Sequence, residues 1–181
     1  EEKSKVLELS YLNSYYQTGM KDLIDKAVID AAQGELDTKK INQNYQKIDE
    51  IPFDFKRRRM SVVVMNQQHE HILVTKGAAE EMLACSNRVE IDGSISPLDE
   101  DQRQKILTEI DEMNQDGLRV VLLGYKENPA PVGEFSIDDE NELILVGFLA
   151  FLDPPKDSAK AALTALKEDG IAVKILTGDN E

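Results

Sequence analysis

The chain has 181 residues, of which 41% are hydrophobic and 31% charged, with a net charge of −14 and one cysteine, Cys85. That size suits one domain, or one domain with a piece of a second, and the apolar content suits an ordinary core. The acidity argues against general affinity for nucleic acid or anionic membrane, and a lone cysteine excludes an internal disulfide.

No stretch reaches the ~18–20 apolar residues of a membrane span, and "EEKSKVLELS" lacks signal-peptide organisation. The chain is expected not to span a membrane itself and to be soluble. From Val6 to Ala32 apolar residues recur at helical spacing, at Leu9, Leu12 and Tyr16, then Leu23, Ile24, Ala27, Val28 and Ala31. Gly19 predicts a break into two helices, and Gly34 the end of the second. Residues 35–50 are polar and read as a loop or a short irregular helix.

Arg59–Met65, the turn "NQQHE" and His71–Thr75 predict a β-hairpin, followed by a short helix over Ala78–Cys85. "IDGSISPLDE" reads as a turn leading into a helix over Glu100–Asn114, capped by Ser96 or Asp99. "GLRVVLLGYKE" predicts a strand, "NPAPVGEFSIDDENE" a polar loop, and "LILVGFLAFLD" a central strand. After "PPK", a helix over Ser158–Glu168, a stop at Gly170 and a strand in "IAVKIL" make a strand–helix–strand unit of a parallel sheet. The architecture is therefore expected to change near Asp153.

The run Lys56, Arg57, Arg58, Arg59 is the dense positive patch of an acidic chain. It reads either as a solvated strand edge that blocks edge pairing or as a site for a small anion such as a nucleotide phosphate. Phe53 and Phe55 stand just upstream, so a base could stack on an aromatic ring beside a cation, although aromatic residues near a strand usually belong to the core. Strict alternation would put Phe53 and Arg58 on opposite faces, so a shared site requires a bend or bulge between them. His69 and His71, two apart on a strand, would share a face as a metal pair, but no third ligand is near and an exposed hairpin tip is expected. In "LTGDNE", Thr177, Gly178 and Asp179 follow a parallel strand, where α/β sheets bind ligands, although an ordinary turn fits as well. No nucleophile elbow or P-loop is present, and Cys85 lies in a predicted helix with no histidine at a recognisable distance.

Taken in order, these stretches resemble the P-type ATPases, cation pumps that pass through a phosphorylated aspartate. "TKGAAEEMLACS" is similar to the family's Lys-Gly-Ala-x-Glu segment, "EIPFDFKRRRMSVVV" to the Phe-containing segment before it, and "GLRVVLLGYK" to its downstream Arg-bearing strand. "FLDPPK" resembles the Asp-Pro-Pro hinge and "GIAVKILTGDN" the Thr-Gly-Asp segment. The wording of "EIPFDFKRRRMSVVV" and "FLDPPK" is most similar to bacterial magnesium-transporting members.

The resemblance implies an α+β fold: an antiparallel β-sheet flanked by helices, over residues 1–152, as the nucleotide-binding domain. Residues 153–181 would be the hinge and a short βα/β fragment of a haloacid-dehalogenase-like phosphorylation domain. It implies that Phe53 stacks on adenine, Lys76 lies at the pocket floor and Gly77 lets the backbone come close. Arg58 would hold phosphate and Arg119 would contact the nucleotide from the next strand. Asp25 stands where the family carries a glutamate that reaches the adenine amino group, and Phe55 where relatives can have arginine. Asp153, Pro154 and Pro155 would form the hinge, with Lys156 where many relatives carry arginine. Thr177, Gly178 and Asp179 would belong to the phosphorylation site.

The implied ligands are ATP and its Mg²⁺. The implied partners are the phosphorylation, actuator and transmembrane domains of the same polypeptide, on the cytoplasmic face of a membrane, and not nucleic acid. "Asp-Lys-Thr-Gly-Thr", whose aspartate accepts the phosphoryl group, does not occur in this sequence, so the chain is expected to bind ATP without turning it over. Two rivals remain at this point: a haloacid-dehalogenase-like phosphatase resting on "TGDN", and an acidic protein-interaction module docking through the basic strand.

Overall fold

A computed structural model describes residues 2–19, 21–128, 135–152 and 157–174. The chain divides into two compact units, 1–151 and 152–181. The first opens with helices α1 (Glu2–Tyr16), α2 (Leu23–Glu35) and α3 (Thr38–Asn44), followed by strands β1 (Gln46–Asp54), β2 (Arg59–Met65) and β3 (His71–Gly77). Then come α4 (Ala79–Ala84), β4 (Ser86–Ile91), β5 (Ser94–Pro97), α5 (Glu100–Gln115), β6 (Leu118–Glu127), a 3-10 turn over Ile137–Asp139, and β7 (Leu143–Leu152).

Among the described residues these strands form one seven-stranded sheet in the order β1-β2-β3-β6-β7-β4-β5. The pairs β1–β2, β2–β3, β3–β6 and β4–β5 are antiparallel. The expected antiparallel sheet is departed from where β4 runs parallel to β7. A parallel pair needs a crossover, and here β5, α5 and β6 lie between the two strands in chain order.

Alternation along the strands divides the core between two faces. Met60, Val62, Val64, Val74, Leu123 and Tyr125 pack with Leu9 and Leu12 of α1, Ala32 of α2 and Ile41 of α3. The opposite parity, Val63, Leu73 and Leu122, packs with Met82 and Leu83 of α4 and Ile110 of α5. Helices therefore cover the sheet on both sides, as the α+β reading expects.

Several local readings change. Helix α2 is fixed by a capping box between Asp22 and Asp25 and runs through Gly34, and its buried residues are Asp25, Val28 and Ala32. Leu23 is left 78% exposed, because the cap, rather than the count of apolar residues, sets the register. Of the two readings of residues 35–50 the short helix holds in part: Asp37 caps α3, and the unexpected element is β1, which begins at Gln46 as an edge strand. "IDGS" is the tip of a β4–β5 hairpin, with Asp92 and Gly93 at φ of 51° and 76°, the Asp-Gly signature of a tight hairpin. Ser96 lies in β5, and Asp99 caps α5. Cys85 is the C-cap of α4.

His69 sits in the β2–β3 turn at φ 64°, whereas His71 starts β3, is buried, and lies beside the Phe135 ring. The two do not share a strand face, and His71 is not an exposed tip. Strand β7 lies between β6 and β4 as a central strand, but only Leu143–Val146 are buried. At Gly147 an added Cβ would stand 2.9 Å from Val6 Cγ2, so α1 approaches β7 where the strand has no side chain.

In the second unit α6 spans Asp157–Glu168. Gly170 ends it at φ 74°, with the Gly170 N–H on Lys167 O at 3.1 Å and the Ile171 N–H on Leu166 O at 2.8 Å, a glycine C-terminal cap. Residues 171–174 carry no strand. A parallel strand takes its hydrogen bonds from neighbours, and no strand pairs with 171–174 among the described residues. Residues 175–176, Asp153, Pro154, Pro155, Lys156, Thr177, Gly178 and Asp179 lie outside the described residues. No described helix is long and apolar enough to cross a membrane.

Candidate functional site

Lys76 sets the geometry of the site. Its Cα partners are Met60 on β2 and Leu123 on β6, both packed toward α1 and α2. Its side chain takes that direction too, and Nζ donates to Ser14 Oγ of α1 at 3.2 Å and to the Asp25 carboxylate of α2. Lys76 is 9% exposed and Asp25 2%. The Asp25 carboxylate also accepts from the Gln17 amide and, at 3.3 Å, from the Asp22 N–H. Burial alone pushes the Asp25 carboxyl up, but the charge and hydrogen bond of Lys76 outweigh it and hold the group below its ordinary value.

Phe53 reaches the same face through a bulge. Ile51 pairs with Ser61 and Asp54 with Arg59, so three residues of β1 pass while two of β2 do. Asp54 turns toward Arg57 on the α4–α5 side, which leaves Phe53, by alternation, on the side of Met60 and Lys76. Phe53 is 51% exposed and Phe55 90%, and their rings meet edge to face with centroids 5.4 Å apart. Arg119, exposed on β6, shares the parity of Leu123 and hence the face of Lys76. One face of the sheet thus carries Phe53, Lys76 and Arg119, with Asp25 behind the lysine.

Arg58 points elsewhere. It closes the 55–58 turn at φ 44°, and its guanidinium donates to Glu81 at 2.7 Å and Glu80 at 2.5 Å, both in the first turn of α4. Its carbonyl accepts the Ala78 N–H at 3.0 Å. Gly77 packs into the same junction: a Cβ there would stand 2.5 Å from Arg59 Cβ and 2.9 Å from the Arg58 carbonyl oxygen. The β1–β2 turn and the start of α4 are thereby held together, with glycine required at their closest approach.

The sequence gives no signal for Glu140. Its carboxylate is fully buried and accepts from Arg57, from Arg59 at 2.8 Å and from Ser61 Oγ at 2.7 Å. Ser61 in turn meets Thr75 Oγ1 at 2.8 Å. Arg57 also reaches Asp54 at 2.6 Å and Pro52 O at 2.7 Å. Three cations of the basic run are therefore bound within the fold, and the run holds a turn in place more than it presents open charge. Ser14, Gln17 and Glu140 are the residues that sequence reasoning missed, since their partners are remote in the chain.

The P-type ATPase, cytoplasmic domain N family matches residues 6–158, from within α1 to the start of α6. The chain belongs to this family. The chain is similar to the magnesium-transporting ATPase, P-type 1, of Escherichia coli (strain K12), at 50% identity over 177 residues, which is 98% of this chain and 20% of that protein. It is 49% identical over 176 residues to the protein of the same name from Salmonella typhimurium (strain LT2), covering 97% of this chain and 19% of that one. A calcium-transporting ATPase of Listeria monocytogenes is 34% identical over 149 residues, 78% of this chain and 17% of its own length. The chain thus spans about a fifth of the length of the magnesium-transporting relatives it matches.

Proposed function

We propose that this N domain binds ATP by its adenosine end on the α1–α2 face of the sheet, as the nucleotide-binding part of a larger P-type ATPase. The observation that carries this reading is the convergence of Phe53, Lys76 and Arg119 on that face, with Phe53 half-exposed although it is a large aromatic residue. Phe53 stacks on the base, a contact of about 1–3 kcal/mol. Lys76 lies beside the base, and Gly77 lets the β1–β2 turn pack against the end of β3. Arg119 reaches the nucleotide from β6, and Arg58 stands at the turn where phosphates would pass. Asp25 acts through Lys76: its oxygens already accept from the lysine, Gln17 and Asp22, so a direct bond from the adenine amino group would have to displace one of them.

The identity to magnesium-transporting relatives supports magnesium as the transported ion. Mg²⁺ enters with the triphosphate of the nucleotide. The aspartate that accepts the phosphoryl group belongs to a phosphorylation domain. Asp153, Pro154 and Pro155 form the hinge toward it, and Thr177, Gly178 and Asp179 are its contacts. The actuator and transmembrane domains complete the pump, with this domain on the cytoplasmic side.

Stacking plus a few charged contacts gives an affinity of roughly millimolar to micromolar, weak enough to release product each cycle. Titration calorimetry of the chain and its Phe53→Ala variant with ATP tests the proposal. Loss of most binding in a variant that keeps its thermal stability supports it, and equal affinities contradict it.

A further inference from the structure

We infer that the domain carries a second ligand site, for a neutral saccharide of one or two rings, at the opposite end of the β2–β3 hairpin from Phe53 and Lys76. Arg59 pairs with Gly77 at the nucleotide end of the hairpin, and Met65 pairs with His71 at the other, about 20 Å away along the strands. There the end of α3, the start of β1 and the β2–β3 turn border a cleft of about 470 Å³. That volume lies within the usual size of a small-molecule site.

The lining selects the ligand by what it lacks as well as by what it holds. The chain has 35 acidic residues, yet no carboxylate stands among the described residues that line the cleft. Its lysine, Lys47, is already bound to Glu50 at 2.6 Å. A charged ligand therefore meets no unpaired lysine, arginine or acid. Six carboxamides do line the cleft: Asn42, Gln43, Asn44, Gln46, Asn66 and Gln67. Each carboxamide sets a donor beside an acceptor, which complements neighbouring hydroxyls on a sugar ring. Tyr16 and Tyr45 also line it, and their hydroxyls are taken: Tyr16 donates to Tyr45 O at 2.7 Å, and Tyr45 is held by Glu8. What the rings have left to offer is their apolar bodies, suited to the C–H face of a sugar.

The frame is set before any ligand arrives. Gln67 Nε2 donates to Asn44 Oδ1 at 3.0 Å and so joins the β2–β3 turn to α3. Asn66 Oδ1 accepts the N–H groups of Gln68 and Glu70 at 3.0 and 2.9 Å. Gln43 and Gln46 are exposed, and their carboxamides make no hydrogen bond among the described residues. Fixed amides thus shape the cleft while free ones remain to bind, which lowers the ordering cost of a weak polar ligand. An extended peptide would meet the same carboxamides, but the bulge between Lys47 and Asp49 breaks the open edge of β1 on which it would pair.

The test is a two-dimensional ¹H–¹⁵N titration of the chain with glucose, maltose and trehalose, followed at the side-chain amides of Gln43, Gln46 and Asn44. Saturable shifts in the millimolar range are expected there for at least one of the three sugars, with the Phe53 and Lys76 amides unmoved. Tri-alanine and acetate, as peptide and anion probes, should leave those side chains unshifted. The Gln43→Ala/Gln46→Ala variant changes two exposed positions and should keep the native thermal midpoint and the native ATP titration while sugar binding weakens about tenfold. Non-saturating shifts with all three sugars, native sugar affinity in that variant, or saturable binding of tri-alanine or acetate in place of sugar overturns the inference. The sugars are titrated without nucleotide, so a failure of ATP binding is read separately and leaves this site standing.

Discussion

Asp25 of α2 and Lys76 of β3 form an ion pair with both side chains almost out of water, at 2% and 10% exposure. Removing one partner of such a pair strands the other charge. Asp25→Ala is expected to lower unfolding free energy by about 3–5 kcal/mol, read from urea denaturation. A loss below about 1 kcal/mol would show that the pair is solvated in practice.

The same pair predicts an acid response. Asp25 is held below its ordinary value; Glu90 is too, because hydrogen bonds from Lys5 and Tyr125 outweigh its burial. A carboxyl depressed in the folded state contributes stability that is present above its unfolded pKa of about 4 and is lost as pH falls through the folded value. Thermal midpoints are therefore expected to be flat near neutrality and to fall below about pH 4. An Asp25→Asn variant should show a shallower acid slope than the native chain. Equal slopes would contradict the assignment.

Glu140 is the acid on which Arg57 and Arg59 converge. Glu140→Ala leaves both guanidinium groups without that partner, although Arg57 keeps Asp54. A loss of about 3 kcal/mol is expected, together with amide shift changes at Phe53 and Phe55, whose turn the network anchors. Glu140→Gln keeps the Ser61 bond and should lose less. A Glu140→Ala variant with native stability and native Phe53 shifts would contradict the anchoring role.

Gly77→Ala places a methyl against Arg59 and the Arg58 carbonyl. Such overpacking typically costs about 1–3 kcal/mol, and here it should also lengthen the bond from Ala78 to Arg58. Slowed protection of the Ala78 amide in hydrogen exchange is not expected; its protection should fall. Unchanged stability and protection would show that the junction can shift freely.

How far the sequence reaches depends on the range of each signal. The β2–β3 hairpin, α5 and β6 were legible because their patterns are local and strongly periodic. Strand β1 was not: "QKIDEIPFD" is polar and half-exposed at a sheet edge, so it lacks clean alternation. The β4–β5 hairpin carried a readable Asp-Gly turn, but its flanks are too polar to look like strands. At the site, residue types pointed to Phe53 and Lys76, and the bulge between Ile51 and Asp54 explains how Phe53 joins the Lys76 face. The lysine's commitment to Asp25, and that of the arginines to Glu140, join residues 51 and 81–83 positions apart. No local pattern encodes such pairs.

The central claim is that nucleotide binds at its adenosine end on the face shared by Phe53 and Lys76. A two-dimensional ¹H–¹⁵N titration with ATP tests it most directly. The account predicts saturable shifts at Phe53, Lys76 and Gly77, with adenosine moving the same amides. Amides of these three residues that stay unmoved at millimolar ATP would contradict it.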